Sequence, residues 1–387
     1  MDIGLYLLAA LPFAVALAAK FLLRSTINWQ EWSVIAICGV LIAVGVYHSG
    51  RLSQTSATEI WNGEVTRKYE RKEDCPWGWR TWRDSFCDHY RTRQVYVGQT
   101  CTGTGSSRIC TPNYDTEYNY IYDWERKFYV DLSLKGRTVR IANIDQQGAQ
   151  VPPRWSSVKV GDPASITNSY TNWIRGAHES LFAESAAVAR DFRAENLLPD
   201  YPNEIVDYYR VDRILTVGVD LENEREWNRK LGLKLAELGP RLEMNALFVL
   251  VDADFGERYA DALRYHWQGF QKNDVVTVVG VSGDASVEWA RVMSWSKSPE
   301  FNKQLARKIE DESTLSADAF VGHLNAEALA NYERRAMVEF EHLKSELPTP
   351  TWVWILAAFL GVLVPGGLIW LFHNVDFNPL GKVFGSK

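Results

Sequence analysis

Three apolar runs frame the chain. Ile3 to Leu23 is interrupted only by Lys20, Trp32 to Tyr47 follows a short polar turn, and Trp352 to Phe372 holds no charged residue. A helix of about 20 apolar residues crosses a bilayer. Lys20 lies close enough to the end of its run for its stem to reach the headgroups, and Pro12 can bend a spanning helix without excluding it. A signal peptide is the competing reading of the first run, but it wants basic residues ahead of the apolar stretch. Here Met1 and Asp2 come first, and Lys20 and Arg24 follow, which favours a retained helix. The second run is short and gains length if it starts near Asn28. The pattern predicts a transmembrane helical hairpin over 1–51, a transmembrane helix over 351–373 and a tail over 374–387. Gly39 and Gly45 offer flat surfaces for a neighbouring helix.

Between these runs the pattern is that of folded, polar sequence. Over 52–195 it reads as β-rich. Strands are predicted at Glu59 to Tyr69, Arg91 to Val97, Tyr118 to Val130 and Thr138 to Ile144, the third on an even spacing of aromatic residues. Trp77, Trp79, Trp82, Phe86 and Tyr90 form an aromatic stretch, read as the cover of a small β core, with a sugar-stacking platform as the sharper alternative. Pro152-Pro153 and Gly161-Asp162-Pro163 mark irregular connections. Asn172 to Ala194 turns helical.

Over 196–325 strands alternate with helices. Arg213 to Val219 reads as a strand, Glu222 to Leu238 as a helix stopped by Gly239, and Asn245 to Val251 as a buried strand. Phe255 to Trp267 is helical, Asp274 to Val281 is a second buried strand, Ser286 to Met293 pairs back, and Pro299 to Ile309 closes as a helix. This predicts a small α/β sandwich. Residues 326–350 carry dense charge of both signs and read as a helical stalk leading to the last membrane helix.

Composition adds orientation. The formal charge is −6, which argues against a nucleic-acid partner. Sixteen tryptophans are present, and Trp29, Trp32, Trp352, Trp354 and Trp370 fall at the predicted membrane edges, where an amphipathic ring is comfortable. Lys20 and Arg24 in the hairpin turn place that turn in the cytoplasm by the positive-inside tendency. The large domain region is then extracytoplasmic, periplasmic in a bacterial inner membrane, and the C-terminal tail cytoplasmic. Cys75, Cys87, Cys101 and Cys110 fit that compartment as two disulfides, with all three pairings open. A zinc site is the rival reading, weakened by intervals of eleven, thirteen and eight residues with no close CxxC.

Two resemblances enter here. The run Tyr259-Ala-Asp-Ala-Leu-Arg-Tyr-His-Trp-Gln-Gly-Phe-Gln-Lys-Asn-Asp-Val-Val-Thr-Val-Val-Gly resembles the TPM-type domain. That resemblance implies a membrane-tethered domain outside the cytoplasm, with phosphatase activity ascribed to some members and assembly or repair roles to others. Ile60-Trp-Asn-Gly-Glu-Val-Thr, Cys101-Thr-Gly-Thr-Gly-Ser, Pro152-Pro-Arg-Trp and Tyr170-Thr-Asn-Trp-Ile resemble uncharacterised membrane proteins of large tailed bacteriophages. This implies the host inner membrane as the site of action. Those proteins carry more cysteines in the first module, including closely spaced ones.

The expected whole is an α+β membrane protein: an N-terminal transmembrane hairpin, an aromatic disulfide-stapled β-rich module, a TPM-like α/β sandwich and a C-terminal transmembrane helix. Its expected role is interaction or assembly at the membrane, with the lipid bilayer, an envelope or phage protein, and a second copy of itself as partners. No cofactor is implied by that role. The alternative is a membrane-tethered metal-dependent hydrolase or phosphatase. Asp252, Asp254 and Asp284 follow strand ends, where carboxylates could hold Ca²⁺ or Mg²⁺, and Asp274 completes the acidic set. Helix capping and turn formation are the plainer roles for such aspartates. Lys272, Asn273 and Asp274 form a loop that could bind an anion or cap the following strand. No HExxH, GxSxG or GxxxxGK[ST] motif is present.

Overall fold

The computed structural model describes residues 3–22, 29–74, 89–102, 109–121, 124–134, 137–141, 151–203, 205 and 212–374. The predicted hairpin turn near Lys20 and Arg24 falls mostly in 23–28, outside this set, as do Cys75, Cys87, Trp77, Trp79, Trp82 and Phe86, and the tail after Asn374.

Three helices pack together at the two ends of the chain: α1 (Ile3–Leu22), α2 (Trp29–Ser53) and a last helix, Thr351–Asn374. Two stretches are long and apolar enough to span a bilayer, Gln30–Ser53 and Thr351–Phe372. They support an integral-membrane topology with a large extramembrane region. α1, α2 and the last helix pack together through Ala16, Ile35, Ile369 and Phe372. Close approach is set by glycine: a Cβ on Gly39 would lie 2.3 Å from Pro12, and one on Gly50 2.1 Å from Val353. Trp29 opens α2, Trp32 meets Phe13 at 5.3 Å, and Trp354 meets Tyr47 at 6.0 Å. Trp352 and Trp370 are exposed on the last helix.

The chain passes almost directly from α2 into β1 (Ser56–Asp74), a strand of 19 residues. β2 (His89–Thr102) and β3 (Ile109–Ile121) form a two-stranded sheet, followed by β4 (Trp124–Leu132), β5 (Thr138–Ile141), the short helix α3 (Pro153–Ser157) and β6 (Pro163–Thr171). The main sheet of this module runs β5-β4-β1-β6, all antiparallel. β1 is its spine. Its first half pairs with β6, from Ser56↔Thr171 to Glu64↔Pro163, and its second half with β4, from Val65↔Leu132 to Asp74↔Trp124. Phe128, Val130, Leu132, Ile141, Val158 and Val65 fill its core, and Trp155 packs on Phe128 at 5.0 Å.

Two sequence expectations change here. Tyr118 to Val130 is not one strand: it belongs to β3 and β4, which lie in different sheets. The module is also not disulfide-stapled, because no disulfide occurs among the described residues. Cys101 and Cys110 are register partners in a β2–β3 ladder of thirteen rows. Backbone hydrogen bonding of that ladder closes the hairpin. β6 was hidden from the alternation because only Ala164 and Ser165 of its nine residues are buried.

After β6 come α4 (Trp173–Gly176), α5 (His178–Leu181), a 3-10 turn (Ala183–Ser185) and α6 (Ala186–Ala194). Then β7 (Ile214–Val217), α7 (Glu224–Leu242), β8 (Asn245–Asp252), α8 (Arg258–His266), β9 (Asp274–Val281), β10 (Val287–Ser294), α9 (Pro299–Glu310) and α10 (Ala317–Asn331) build the second module, and the last helix is α11. Its sheet runs β10-β9-β8-β7, with β7, β8 and β9 parallel and β10 antiparallel. β8 and β9 are buried almost throughout. Alternate residues therefore serve opposite faces. Ala246, Phe248 and Leu250 join Trp227, Leu231, Leu235, Phe301 and Phe320 of α7, α9 and α10. Leu247, Val249 and Val251 join Phe192, Tyr259 and Leu263 of α6 and α8. The predicted α/β sandwich is thus three layers deep, and α6 belongs to it.

Gly239 does not stop α7, which runs to Leu242 with Pro240 inside it. A Cβ at Gly239 would lie 2.1 Å from the Asn62 carbonyl of β1. The glycine is there to let the second module press against the first. Residues 326–350 are not a free helical stalk. α10 ends at Asn331, and a 3-10 segment, Met337–Glu346, buries Phe340 and Leu343 against Ile174 and Ala177. Two of the charges turn inward: Glu327 is buried and meets Lys308 at 2.6 Å, and Arg334 turns onto Glu59 and Glu243, while Glu333, Glu339, Glu341, Lys344 and Glu346 stay exposed.

Candidate functional site

The β2–β3 hairpin stands apart from every other element. Neither strand pairs with the main sheets, and among the described residues they pack substantially only on each other. In β2, residues 93–100 are exposed except for half-buried Val95 and Gly98; in β3, residues 111–117 are exposed except for Thr116. Both faces of the arm therefore meet solvent. An isolated two-stranded hairpin is marginal in water, so cross-strand pairs carry it. Tyr96 and Tyr114 meet edge-on at 6.0 Å, Asn113 donates to Thr100 at 2.8 Å, and Gln94 donates to Thr116 at 3.2 Å. Tyr96, Val97 and Tyr114 are more than half exposed. Large aromatic rings with a polar tip are the side chains that anchor protein contacts. The arm leaves the main sheet beyond Asp74 and re-enters it at Trp124. By strand rise this is about 60 Å along β1 from where the chain leaves α2.

The second feature is a buried polar seam that fixes the head into one body. The Lys272-Asn273-Asp274 loop enters it directly. Lys272 lies 3.3 Å from Glu59 and 4.8 Å from the Tyr170 ring, and Asn273 donates to the Ile60 carbonyl at 2.8 Å. Asp274 accepts from the Tyr201 hydroxyl at 2.8 Å, from the Gln271 amide at 2.9 Å and from Asn245 at 3.0 Å. Glu59 also accepts from Trp61 and Asn168 and faces Arg334 at 3.5 Å. Beneath them Arg213 donates to Asn62 at 2.6 Å and to Ser165 at 2.9 Å, and Asn62 donates to Asn245 at 3.1 Å. Asn172 caps α4 by accepting from Ile174 and Arg175 while donating to the Tyr170 hydroxyl at 3.0 Å. Burial pushes the Asp274 carboxyl up to about 6 and the Arg213 guanidinium down to about 10. It also raises the Tyr170 and Tyr201 phenols. These groups are paired with one another, so the loop holds the two modules together.

A polar cleft of about 210 Å³ opens beside this seam, lined by Thr58, Arg175, Tyr201, His266, Gln268 and Gln271 among others. Its walls are already engaged. Arg175 donates to Gln268 at 2.7 Å and to the Ser56 carbonyl at 2.9 Å, and His266 lies 3.1 Å from Arg193. Burial, then the Arg193 charge, lowers the His266 imidazole below its ordinary value.

The acidic set does not converge. Asp252 closes β8 and accepts from the Asp254 amide at 3.0 Å, capping the 3-10 turn Ala253–Phe255. Asp284 accepts from the Ser282 hydroxyl at 2.5 Å and the Ser286 amide at 3.2 Å, which hold the β9–β10 turn and lower its carboxyl. Asp274 begins β9, at the opposite end of the sheet, about 23 Å away by strand rise. Among the described residues no three His, Cys, Asp or Glu side chains come together to hold a metal ion.

Sequence reading did not single out Glu59, Asn62, Asn172, Arg213 or Asn245. Each is an ordinary polar residue, Glu59 and Asn62 within β1 and the others at a strand or helix start, and only the docking of the modules brings them together. Arg93 and Glu117 were also passed over, although their positions in strands of opposite charge were readable. No family model, no curated protein and no solved structure matches this chain. The resemblances to TPM-type domains and phage membrane proteins therefore stand without support from a matching relative.

Proposed function

We propose that this chain is a membrane-anchored interaction or assembly protein that presents the β2–β3 arm from a rigid two-module head. The observation that carries the reading is the arm itself: a long hairpin, exposed on both faces, with Tyr96, Val97 and Tyr114 open to solvent. A protein does not maintain such edges without managing them, and an arm held far from the bilayer on β1 is placed to meet a partner. Lys20 and Arg24 in the first turn favour a head outside the cytoplasm. With the sequence resemblance to phage membrane proteins, this supports action at the inner membrane of a bacterial host.

The test is site-specific photocrosslinking in the intact membrane. A photoreactive residue at Tyr96 or Tyr114 should give defined crosslinked protein products, identified by mass spectrometry. Val160, exposed on the main sheet module, is the control. Products at Val160 with silence at both arm positions would remove the arm from the contact.

A further inference from the structure

The arm has two open edges of opposite charge. β2 carries Arg91 and Arg93 and no acid, and β3 carries Asp115 and Glu117 and no base. The register is regular over eight consecutive rows at its base, from His89↔Ile121 to Tyr96↔Tyr114, before the irregularity at Gly98. Within those rows Arg93 lies opposite Glu117 and Val95 opposite Asp115. Among the described residues each strand pairs only with the other, so within that set β2 and β3 each leave one edge unpaired.

Anchoring restricts what can fill those edges. Copies held in one bilayer are related by rotation about its normal, so their arms keep one sense relative to the membrane. Side by side, β3 of one copy then runs antiparallel to β2 of the next. Without stagger, Glu117 of one copy falls beside Arg93 of its neighbour, and that row alternates in sign across the contact, while Arg91 falls beside Asn119 and Asp115 beside Val95. An occupant of the β3 edge suits it by being basic, and an occupant of the β2 edge by being acidic. A second copy brings both.

Resting on the reading of the arm as the contact element, we infer that the arms of neighbouring copies pair edge to edge, β3 against β2. This gives a head-to-tail array that closes into a ring when the rotation permits. The Arg93–Glu117 row sets its register, since opposite charges facing each other across strands favour pairing and like charges oppose it.

The experiment uses the full chain in detergent or large nanodiscs, with oligomer mass followed against concentration. Wild type should assemble beyond the monomer. R93E alone, and E117R alone, should each shift the midpoint concentration upward about tenfold. An equimolar mixture of the two variants should recover assembly. Within each variant the 93–117 pair stays like-charged, so recovery on mixing can come only from contacts between copies. A monomeric wild type, or an oligomer indifferent to both reversals, overturns the inference. If purified wild type is monomeric while Tyr96 or Tyr114 crosslinks to a different protein in membranes, the interaction reading survives and self-pairing does not. Silence of the arm in both experiments removes both.

Discussion

β9 and the β2–β3 arm are both regular strand structure, yet they are ordered by different means. All eight residues of β9 are buried, between α7, α9 and α10 on one face and α6 and α8 on the other. In the arm, exposure is the rule on both faces. Beyond Asp274, which opens it in the seam, β9 is held by burial of apolar surface, which suits its run of Val, Thr and Gly. The arm is held by its ladder and by cross-strand pairs, which leaves its outward positions free to serve a partner. Stability and contact are thus assigned to separate parts of the head.

The sharpest way to break this contrast is in the core. F320A removes a ring packed against Trp227 and Phe248 and should cost about 4–5 kcal/mol in denaturant unfolding of the full chain. A loss below about 1 kcal/mol would mean the three-layer core is not the source of stability. Next is the seam. E59Q leaves Lys272 and Arg334 facing a neutral amide in a buried place and should cost about 3–4 kcal/mol. The same fall with K272A would identify the ion pair as the element lost.

Asp274 gives a pH signature. Its carboxyl is raised from 3.8 to about 6, so the folded state binds the proton more tightly than the unfolded chain. Its contribution is most favourable below pH 4 and is lost as pH rises through 4 to 6, by about 3 kcal/mol at full extent. Other carboxylates titrate in the same range, so the measurement is the difference between wild type and D274N. That difference should change across this window and be flat above pH 7.

G239A should cost about 2 kcal/mol by forcing α7 away from the Asn62 carbonyl. Its unfolding should separate into two steps if that contact couples the modules. The smallest effect is expected in the arm. Y114A should change stability by less than about 0.5 kcal/mol while abolishing arm crosslinking. A large stability loss there would contradict the division of labour.

The second module was legible from sequence because its signals are local. NALFVLV and DVVTVVGV are buried on both faces, and the leucines of α7 recur on one side, so period and length suffice. The first module was harder. β6 is polar at most positions because it covers β1 with its backbone more than with its side chains. The charged stretch over 326–350 departs from a solvated helix because Glu327 is itself buried against Lys308 and Arg334 meets the buried Glu59 of β1. Of the seam only the Lys272-Asn273-Asp274 loop was legible, and its partners were not: Glu59 and Lys272 lie 3.3 Å apart across more than two hundred residues of chain. The aspartates were legible as caps and turns, since Asp252 and Asp284 each bond a neighbour two residues away.

The way the chain leaves and regains the membrane has one more consequence. Arg51, at the end of α2, donates to the carbonyls of Lys344 and Leu347, and Gln54 donates to that of Pro348. Exit and return are moored at one point, with the whole head as a closed loop between them. A protease that nicks the arm would therefore release nothing. Each fragment would keep its own membrane helix, and β1 with its partners would keep the fragments joined. Loss of contact and loss of the head are separate events in this molecule, and the exposed arm is the part it can sacrifice.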